Sequence, residues 1–148
     1  MWPVYRWDEN ADPDVGRNVR CEDRAPAEAR VFQSLTVSAV RAVVSRHAAK
    51  AGMDAARRSD LVLAANEIAT NSVRHAGGWG LLRIWREADA LICEVTDQGS
   101  GLGALPAPRR PHTDQVDGYG LWLANKLCEQ VEVSTAGGGT AVRLRMPL

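Results

Sequence analysis

The stretch that decides the fold is Asn66-Glu67-Ile68-Ala69-Thr70-Asn71-Ser72-Val73-Arg74-His75. Its pattern predicts a helix that begins at Ser59 or Asp60 and ends at His75. One stripe of this helix is small or apolar, as is typical of a face that packs on a sheet: Leu61, Ala65, Ile68, Ser72 and Ala76. Glu67, Asn71 and His75 recur every fourth residue on the edge that borders this stripe. These three polar side chains are therefore expected at the rim of the core, where a ligand can reach them.

The polar edge of this helix has two interpretations. A solvated flank of an amphipathic helix would have the same composition. Alternatively, the carboxylate of Glu67 and the amide of Asn71, one turn apart, offer the hard oxygen ligands that Mg²⁺ prefers. The stretch alone leaves both interpretations open.

The elements around this helix predict a two-layer α/β sandwich, with helices on one face of a mixed, mostly antiparallel sheet. An earlier helix begins after Thr36, which can cap it, and ends at Gly52; a later one covers about Tyr119–Gln130. Alternating apolar and polar residues predict strands with one covered and one solvated face. These strands are expected at Ala29–Gln33, Leu81–Arg86, Leu91–Thr96, Val131–Thr135 and Thr140–Met146.

A glycine-rich motif, Asp97-Gln98-Gly99-Ser100-Gly101, directly follows one of these strands. Asp97 shares the parity of the apolar strand residues Cys93 and Val95, so its carboxylate is expected to face the helices. A buried carboxylate needs a partner, and the amino group of a ligand would serve. Gly99 and Gly101 would let the backbone approach that ligand closely. A plain Asp/Gly turn is the alternative interpretation.

A second glycine motif, Asp117-Gly118-Tyr119-Gly120-Leu121, opens the last predicted helix. Free N–H groups and the positive end of the helix dipole suit phosphates, although a helix start without a ligand is equally compatible with the motif. The segment before it, from about Gln98 to Asp117, has no periodicity and is expected to be a functional lid or a disordered insert. Thr140 follows a run of glycines that a hairpin turn would explain, and its parity directs it toward Asp97.

Length and composition narrow the class of protein. With 148 residues the chain has room for one domain, expected at 29–148, after an irregular tail at 1–28 whose Trp2, Tyr5 and Trp7 leave a docking peptide as the alternative. A formal net charge of zero argues against a protein that mainly binds nucleic acid or an acidic membrane. The three cysteines have no CxxC spacing, so neither a disulfide framework nor a zinc site is expected. Without a transmembrane stretch or a signal-peptide core, the expected location is the cytoplasm.

In this order and on these elements, the motifs resemble those of the GHKL (Bergerat-fold) ATPases over about Val31 to Leu148. Asn66 to His75 and Gly118-Tyr119-Gly120-Leu121-Trp122-Leu123 look most like the small bacterial anti-sigma regulatory factors that are serine/threonine protein kinases. The resemblance implies that the chain binds ATP and Mg²⁺. It assigns catalysis to Glu67, Mg²⁺ to Asn71, the adenine amino group to Asp97, and other nucleotide contacts to His75, Gly99, Gly101, Gly118, Tyr119, Gly120, Leu121 and Thr140.

The same resemblance implies a function in transcription regulation. The chain would phosphorylate a STAS-domain anti-anti-sigma protein, and it would be a homodimer that captures a sigma factor. An ATP-gated protein-binding module with little or no kinase activity is the alternative. The catalytic half of a histidine kinase fits less well, because no long two-helix segment carries a phosphoacceptor histidine.

Overall fold

The computed structural model describes residues 28–33, 36–75, 79–97, 119–134 and 139–148, and for His75 and Tyr119 the backbone alone. The elements in chain order are β1 (Glu28–Gln33), α1 (Val37–Lys50), α2 (Ala55–His75), β2 (Trp79–Glu87), β3 (Ala90–Asp97), α3 (Tyr119–Leu127), β4 (Gln130–Ser134) and β5 (Thr140–Pro147). This is the predicted α/β sandwich. Within the described ranges, no helix has both the length and the apolar character needed to cross a membrane. The division into a tail at 1–28 and a domain at 29–148 stays a prediction, since nearly all of that tail lies outside these ranges.

The strands form one sheet in the order β1-β2-β3-β5-β4, and each pair of neighbours is antiparallel. We name the two ends of the sheet, along the strand direction, by the residues that lie there. At one, which we call the Asp97 end, β3 stops at Asp97 opposite Thr140, the first residue of β5. At the other, the hairpin end, β2 turns into β3 through residues 88 and 89, with Ala88 at a φ of 51°. The predicted hairpin is therefore confirmed, but its turn is shorter than the expected Glu87–Ala90, because Glu87 and Ala90 pair with each other as the ends of β2 and β3.

Helix α1 begins and ends where the sequence predicts, although its capping differs from the prediction. Thr36 precedes the helix, but its hydroxyl accepts a hydrogen bond from the Gln33 amide at 2.8 Å and caps no helical N–H. Gly52 ends the helix with a φ of +81°, a left-handed conformation that glycine adopts without steric cost.

Helix α2 begins earlier than predicted. Asp54 accepts a hydrogen bond from the Arg57 amide at 3.0 Å and thereby caps a helix that begins at Ala55. The expected start at Ser59 or Asp60 is wrong, because Asp54 provides a cap only two residues after Gly52. The predicted stripe is confirmed from Leu61 through Ser72, whose described members are all buried.

The main core lies between the helices and one face of the sheet, which we call the front face. Cys93 and Cys128 are both buried in it, as predicted, and burial raises the pKa of the Cys128 thiol to about 12. Other members come from every helix and from all five strands: Phe32, Val40, Val44, Leu61, Ile68, Leu82, Ile84, Val95, Leu121, Ala124, Val131 and Leu144.

The opposite face, the back face, departs from the expected solvated surface only in part: Val31 and Trp79 are exposed on it, but a patch toward the hairpin end is buried. Trp85, Ala90 and Ile92 form a separate buried cluster there. Beside them, Glu94 is fully buried between the guanidinium groups of Arg83 and Arg143. Alternation along the strands assigned these residues to this face correctly but gave no information on whether it is covered.

Candidate functional site

Asp97 and Thr140 face each other across the last rung of the β3–β5 ladder. Both are buried on the front face, which confirms the parity predicted for each. The Thr140 amide donates a hydrogen bond to Asp97 Oδ1 at 3.2 Å. This bond offsets part of the cost of burying the carboxylate and fixes its orientation at the Asp97 end of the sheet.

Helices α2 and α3 meet through a contact that depends on Gly120. A Cβ atom built on Gly120 would lie 2.4 Å from Asn71 Nδ2, and 3.4 Å from the Glu67 carbonyl oxygen. A side chain larger than a hydrogen atom would therefore displace Asn71. Leu121, the next residue, is buried in the core and anchors the start of α3. The first turn of α3 thus lies directly against the helical turn that carries Glu67 and Asn71.

The start of α3 has the features of an anion site. The first N–H groups of a helix have no acceptor within the helix, and the dipole adds about half a positive charge there. In α3 these groups belong to Tyr119, Gly120 and Leu121, and no acidic residue stands in the first turn to compete for them. Phosphate oxygens are the ligands that such an arrangement binds best.

Chain connectivity places both parts of the site at one end of the molecule. Only residues 76–78 separate the end of α2 from the start of β2. Strand β2 begins at the Asp97 end, because Leu81 pairs with Thr96, next to Asp97, and Trp79 lies two residues further toward that end. Asn71 is one turn from the end of α2, and Gly120 contacts it. The start of α3 therefore lies on the same side as Asp97 and Thr140. An acceptor for an amino group and an anion site share this end.

The described residues fit a magnesium ion only if the ligand supplies part of its coordination. In the described ranges no group of three His, Cys, Asp or Glu side chains could hold a metal. Glu67 and Asn71 are one turn apart and half-buried. Mg²⁺ is typically bound by one or two protein oxygens together with substrate phosphates and water, so the Asn71 amide next to a phosphate site suits it.

Several predicted site residues fall wholly or partly outside the described ranges. Gly99, Gly101 and Gly118 are among them, as is the expected lid from Gln98 to Asp117. His75 ends α2 and Tyr119 begins α3 as predicted, but nothing is described of their side chains. The roles assigned to all of these residues stay predictions.

The sequence patterns did not predict a cluster of charged side chains on the back face of the sheet, centred on β3. Glu94 of β3 receives hydrogen bonds from Arg83 Nε at 2.8 Å and Arg143 Nη2 at 2.9 Å, from the two flanking strands. The signal was present, because opposite charges occur at matching registers of three strands. It could be read only with the strand order, which places β5 beside β3.

Comparisons with known proteins agree with this fold. No curated protein sequence matches the chain. Among solved structures, the RsbU and RsbW domains of Rv1364c from Mycobacterium tuberculosis superpose with a TM-score of 0.60 at 21% identity, covering 84% of this chain. The chain spans only 33% of the length of that chain, and at 21% identity the likeness shows the fold alone.

Two histidine kinases also match at lower scores. Acinetobacter baumannii AdeS has a TM-score of 0.44 at 12% identity, covering 81% of this chain and 67% of that one. The histidine kinase domain of the E. coli osmosensor EnvZ has a TM-score of 0.46 at 16% identity, covering 86% of this chain and 92% of that one.

A protein-family model, the histidine kinase-like ATPase domain, matches residues 33–146, from the end of β1 to β5. The chain therefore belongs to the family of histidine kinase-like ATPase domains, and its sandwich is the Bergerat fold.

Proposed function

We propose that the chain binds Mg²⁺ and ATP and transfers the γ-phosphoryl group to a serine or threonine of a STAS-domain anti-anti-sigma protein, thereby regulating transcription. The observation that carries the proposal is the contact between Gly120 and Asn71. It joins an anion-binding helix start to the helical turn that carries both a cation ligand and a candidate base. Phosphoryl transfer depends mainly on such positioning and charge neutralisation.

The buried carboxylate of Asp97 would recognise the base of the nucleotide. Thr140 holds one of its oxygens, and a carboxylate so oriented accepts a hydrogen bond from the adenine 6-amino group. Gly99 and Gly101 would pack beside the adenine ring. His75 is assigned a nucleotide contact only by the resemblance. A guanine base, with a carbonyl at position 6, would be rejected because it presents an acceptor to an acceptor.

The start of α3 would hold the phosphates. The amides of Tyr119, Gly120 and Leu121 begin this helix, and Gly118 would join them in binding the phosphates. The Asn71 amide would hold Mg²⁺, which would supply positive charge to neutralise the phosphates. Glu67, one turn before Asn71, would orient the attacking hydroxyl and take its proton, while ADP leaves. A general base contributes roughly 10²- to 10⁴-fold to such a rate.

The partner is the least direct part of the proposal. It is supported by the likeness of residues 66–75 and 118–123 to the anti-sigma kinases, and the fold shared with a chain that contains an RsbW domain is in keeping with it. Capture of a sigma factor, assembly as a homodimer and action in the cytoplasm belong to the same proposal.

Transfer of labelled phosphate from ATP to candidate STAS proteins tests the kinase assignment. We expect labelling of a serine or threonine by the wild-type chain and at least a hundredfold slower labelling by Glu67→Gln, with ATP affinity little changed. Glu129→Gln, which alters an exposed carboxylate at the hairpin end, is the matched control and should label at the wild-type rate. Firm ATP binding without transfer to any STAS protein would contradict the kinase and favour the ATP-gated module.

A further inference from the structure

Leu63 is an exposed apolar side chain on helix α2, close to the candidate base. It is 43% exposed, and among the described helical residues no other large apolar side chain is exposed. It precedes Glu67 by four residues, so it extends by one turn the edge of α2 that carries Glu67 and Asn71. Because single exposed leucines are common on protein surfaces, its neighbours decide what it can do.

Helix α3 directs two further leucines toward the same edge. The contact between Gly120 and Asn71 shows which side of α3 faces α2. Leu123 and Leu127 follow Gly120 by three and seven residues, so helical geometry places them on that side. Both are half-buried, whereas Ala124, next to Leu123, is fully buried in the core. The two leucines therefore lie along the outer rim of the seam between α2 and α3.

The two helices run in opposite directions along this seam. Gly120, near the start of α3, contacts Asn71 near the end of α2. Just past the end of α3, burial and, second, the charge of Asp60 raise the pKa of the Cys128 thiol to about 12. Asp60, near the start of α2, therefore lies close to Cys128. Leu63 follows Asp60 by three residues and is opposite the last turn of α3.

Leu63, Leu123 and Leu127 thus form one apolar surface, which we call the leucine patch. It has a carboxylate at each end, Glu67 on the side of the nucleotide site and Asp60 on the other. Seven residues of α2 separate the two carboxylates, about 10 Å along the helix axis. Asp60 is half-buried and forms no ion pair within the described ranges. Such a surface is complementary to a partner that presents apolar and basic groups.

The direction of phosphoryl transfer determines what passes over this patch. The attacking and leaving oxygens are roughly in line, so the acceptor hydroxyl approaches from the side away from the leaving ADP. In the proposed function, ADP occupies the start of α3 and the Asp97 end. Helix α2 runs toward that end, so Glu67 lies one turn farther from it than Asn71. An acceptor whose hydroxyl reaches Glu67 therefore extends over the leucine patch.

We propose that the leucine patch and Asp60 form the docking surface for the acceptor protein, an inference that rests on the proposed kinase function. The acceptor segment places its serine or threonine hydroxyl at Glu67, an apolar side chain against Leu63, and a lysine or arginine near Asp60. A span of about 10 Å corresponds to three residues of an extended segment or two turns of a helix. Recognition of the acceptor is thereby separate from recognition of the nucleotide.

Steady-state phosphorylation of a STAS protein by the Leu63→Asp chain tests the leucine patch. We expect the KM for the STAS protein to rise at least tenfold, because a charge replaces an apolar contact. The kcat at saturating STAS protein and the ATP affinity, measured by calorimetry, should match the wild type. Val31→Asp makes a similar change at an exposed apolar position on the back face and should keep the wild-type KM.

The outcomes separate this docking surface from the kinase assignment. An unchanged KM for Leu63→Asp, with transfer by the wild type intact, would overturn the docking surface and leave the kinase standing. A loss of ATP affinity with an unchanged KM would also overturn it, because Leu63 would then belong to the nucleotide site. Absence of transfer by the wild-type chain would instead contradict the kinase, and this inference with it.

The variant Asp60→Lys tests the basic contact. Its KM for the STAS protein should rise several-fold at low salt and less at high salt, since salt screens exposed charges. Changing to glutamate the acceptor's lysine or arginine about 10 Å from the phosphorylated hydroxyl should restore the KM of this variant. Asp89→Lys, on the exposed turn at the hairpin end, is the control. No increase in KM for Asp60→Lys, or an equal increase for Asp89→Lys, would overturn the role of Asp60.

Discussion

At the scale of single residues, the site depends on one glycine. Sequence patterns identified Gly120 as part of a helix start suited to phosphates, and the structure adds that its missing side chain is what admits Asn71. Asp97 and Thr140 could likewise be assigned to the covered face by parity, because alternation along a strand is strict. The hydrogen bond between the Thr140 amide and Asp97 could not, since it depends on the register between β3 and β5.

Replacing Gly120 by alanine tests the close approach. In an unobstructed helix this change stabilises by about 1 kcal/mol, but here the added Cβ would lie 2.4 Å from Asn71 Nδ2. We therefore expect Gly120→Ala to lower the free energy of unfolding by about 1–3 kcal/mol and to weaken binding of Mg²⁺ and ATP at least tenfold. Urea unfolding and calorimetric titration measure the two effects.

The double variant Gly120→Ala/Asn71→Ala provides the control, because removal of the Asn71 amide makes room for the Cβ. The loss of unfolding free energy in the double variant should be smaller than the sum of the losses in the two single variants, by about 1 kcal/mol or more. If the losses of unfolding free energy in the two single variants simply add in the double variant, the contact does not contribute to stability. A Gly120→Ala protein that is more stable than the wild type and binds nucleotide equally well would likewise contradict a role for the contact.

At the scale of elements, the sequence predicts which segments are helices and strands better than it predicts where they begin. Helix α2 starts four or five residues before the expected position because Asp54 caps it, and β4 begins at Gln130 because α3 stops at Leu127. Capping by a side chain is a local choice among several nearby candidates, here Asp54, Ser59 and Asp60. The apolar periodicity extends through all three positions and does not show which of them caps the helix.

Strand β1 is an edge strand that a cluster of charges ties to α1. The Glu28 carboxylate accepts three hydrogen bonds: one from His47 Nε2 at 2.7 Å, one from Arg46, and one from Arg30 at 3.0 Å. The hydrogen bond from His47, and next those from the two arginines, lower the pKa of Glu28 to about 2. A carboxyl group whose pKa is depressed in the folded state stabilises the fold above its unfolded pKa near 4.5. That contribution is lost as the pH falls through about 2.

The variant Glu28→Gln should therefore unfold more easily than the wild type at pH 7. The difference between their unfolding free energies should shrink as the pH falls from about 4.5 to 2, where the wild-type carboxyl group becomes protonated. Urea unfolding of both proteins across this range measures it. A difference that stays constant from pH 7 to pH 2 would show that the charge of Glu28 contributes nothing to this attachment.

At the scale of the whole molecule, the order of the strands could not be read from local patterns. Strand β5, the last in the chain, lies between β3 and β4, and this insertion brings Thr140 to Asp97 and Arg143 to Glu94. Both contacts join residues more than forty positions apart. The burial of the back face was also unpredictable, because alternation shows which side chains share a face and not what packs on it.

The central claim is that the Asp97 end of the molecule is an ATP site. Titration calorimetry of the full chain with ATP and Mg²⁺ tests it most directly, using Asp97→Asn and, as matched control, Asp89→Asn, which makes the same change on an exposed turn at the hairpin end. We predict that the wild type and Asp89→Asn bind ATP equally and prefer it to GTP, and that Asp97→Asn binds ATP at least tenfold more weakly, a loss of about 1.4 kcal/mol. Equal ATP affinities for wild type and Asp97→Asn, or no preference for ATP over GTP, would contradict the site.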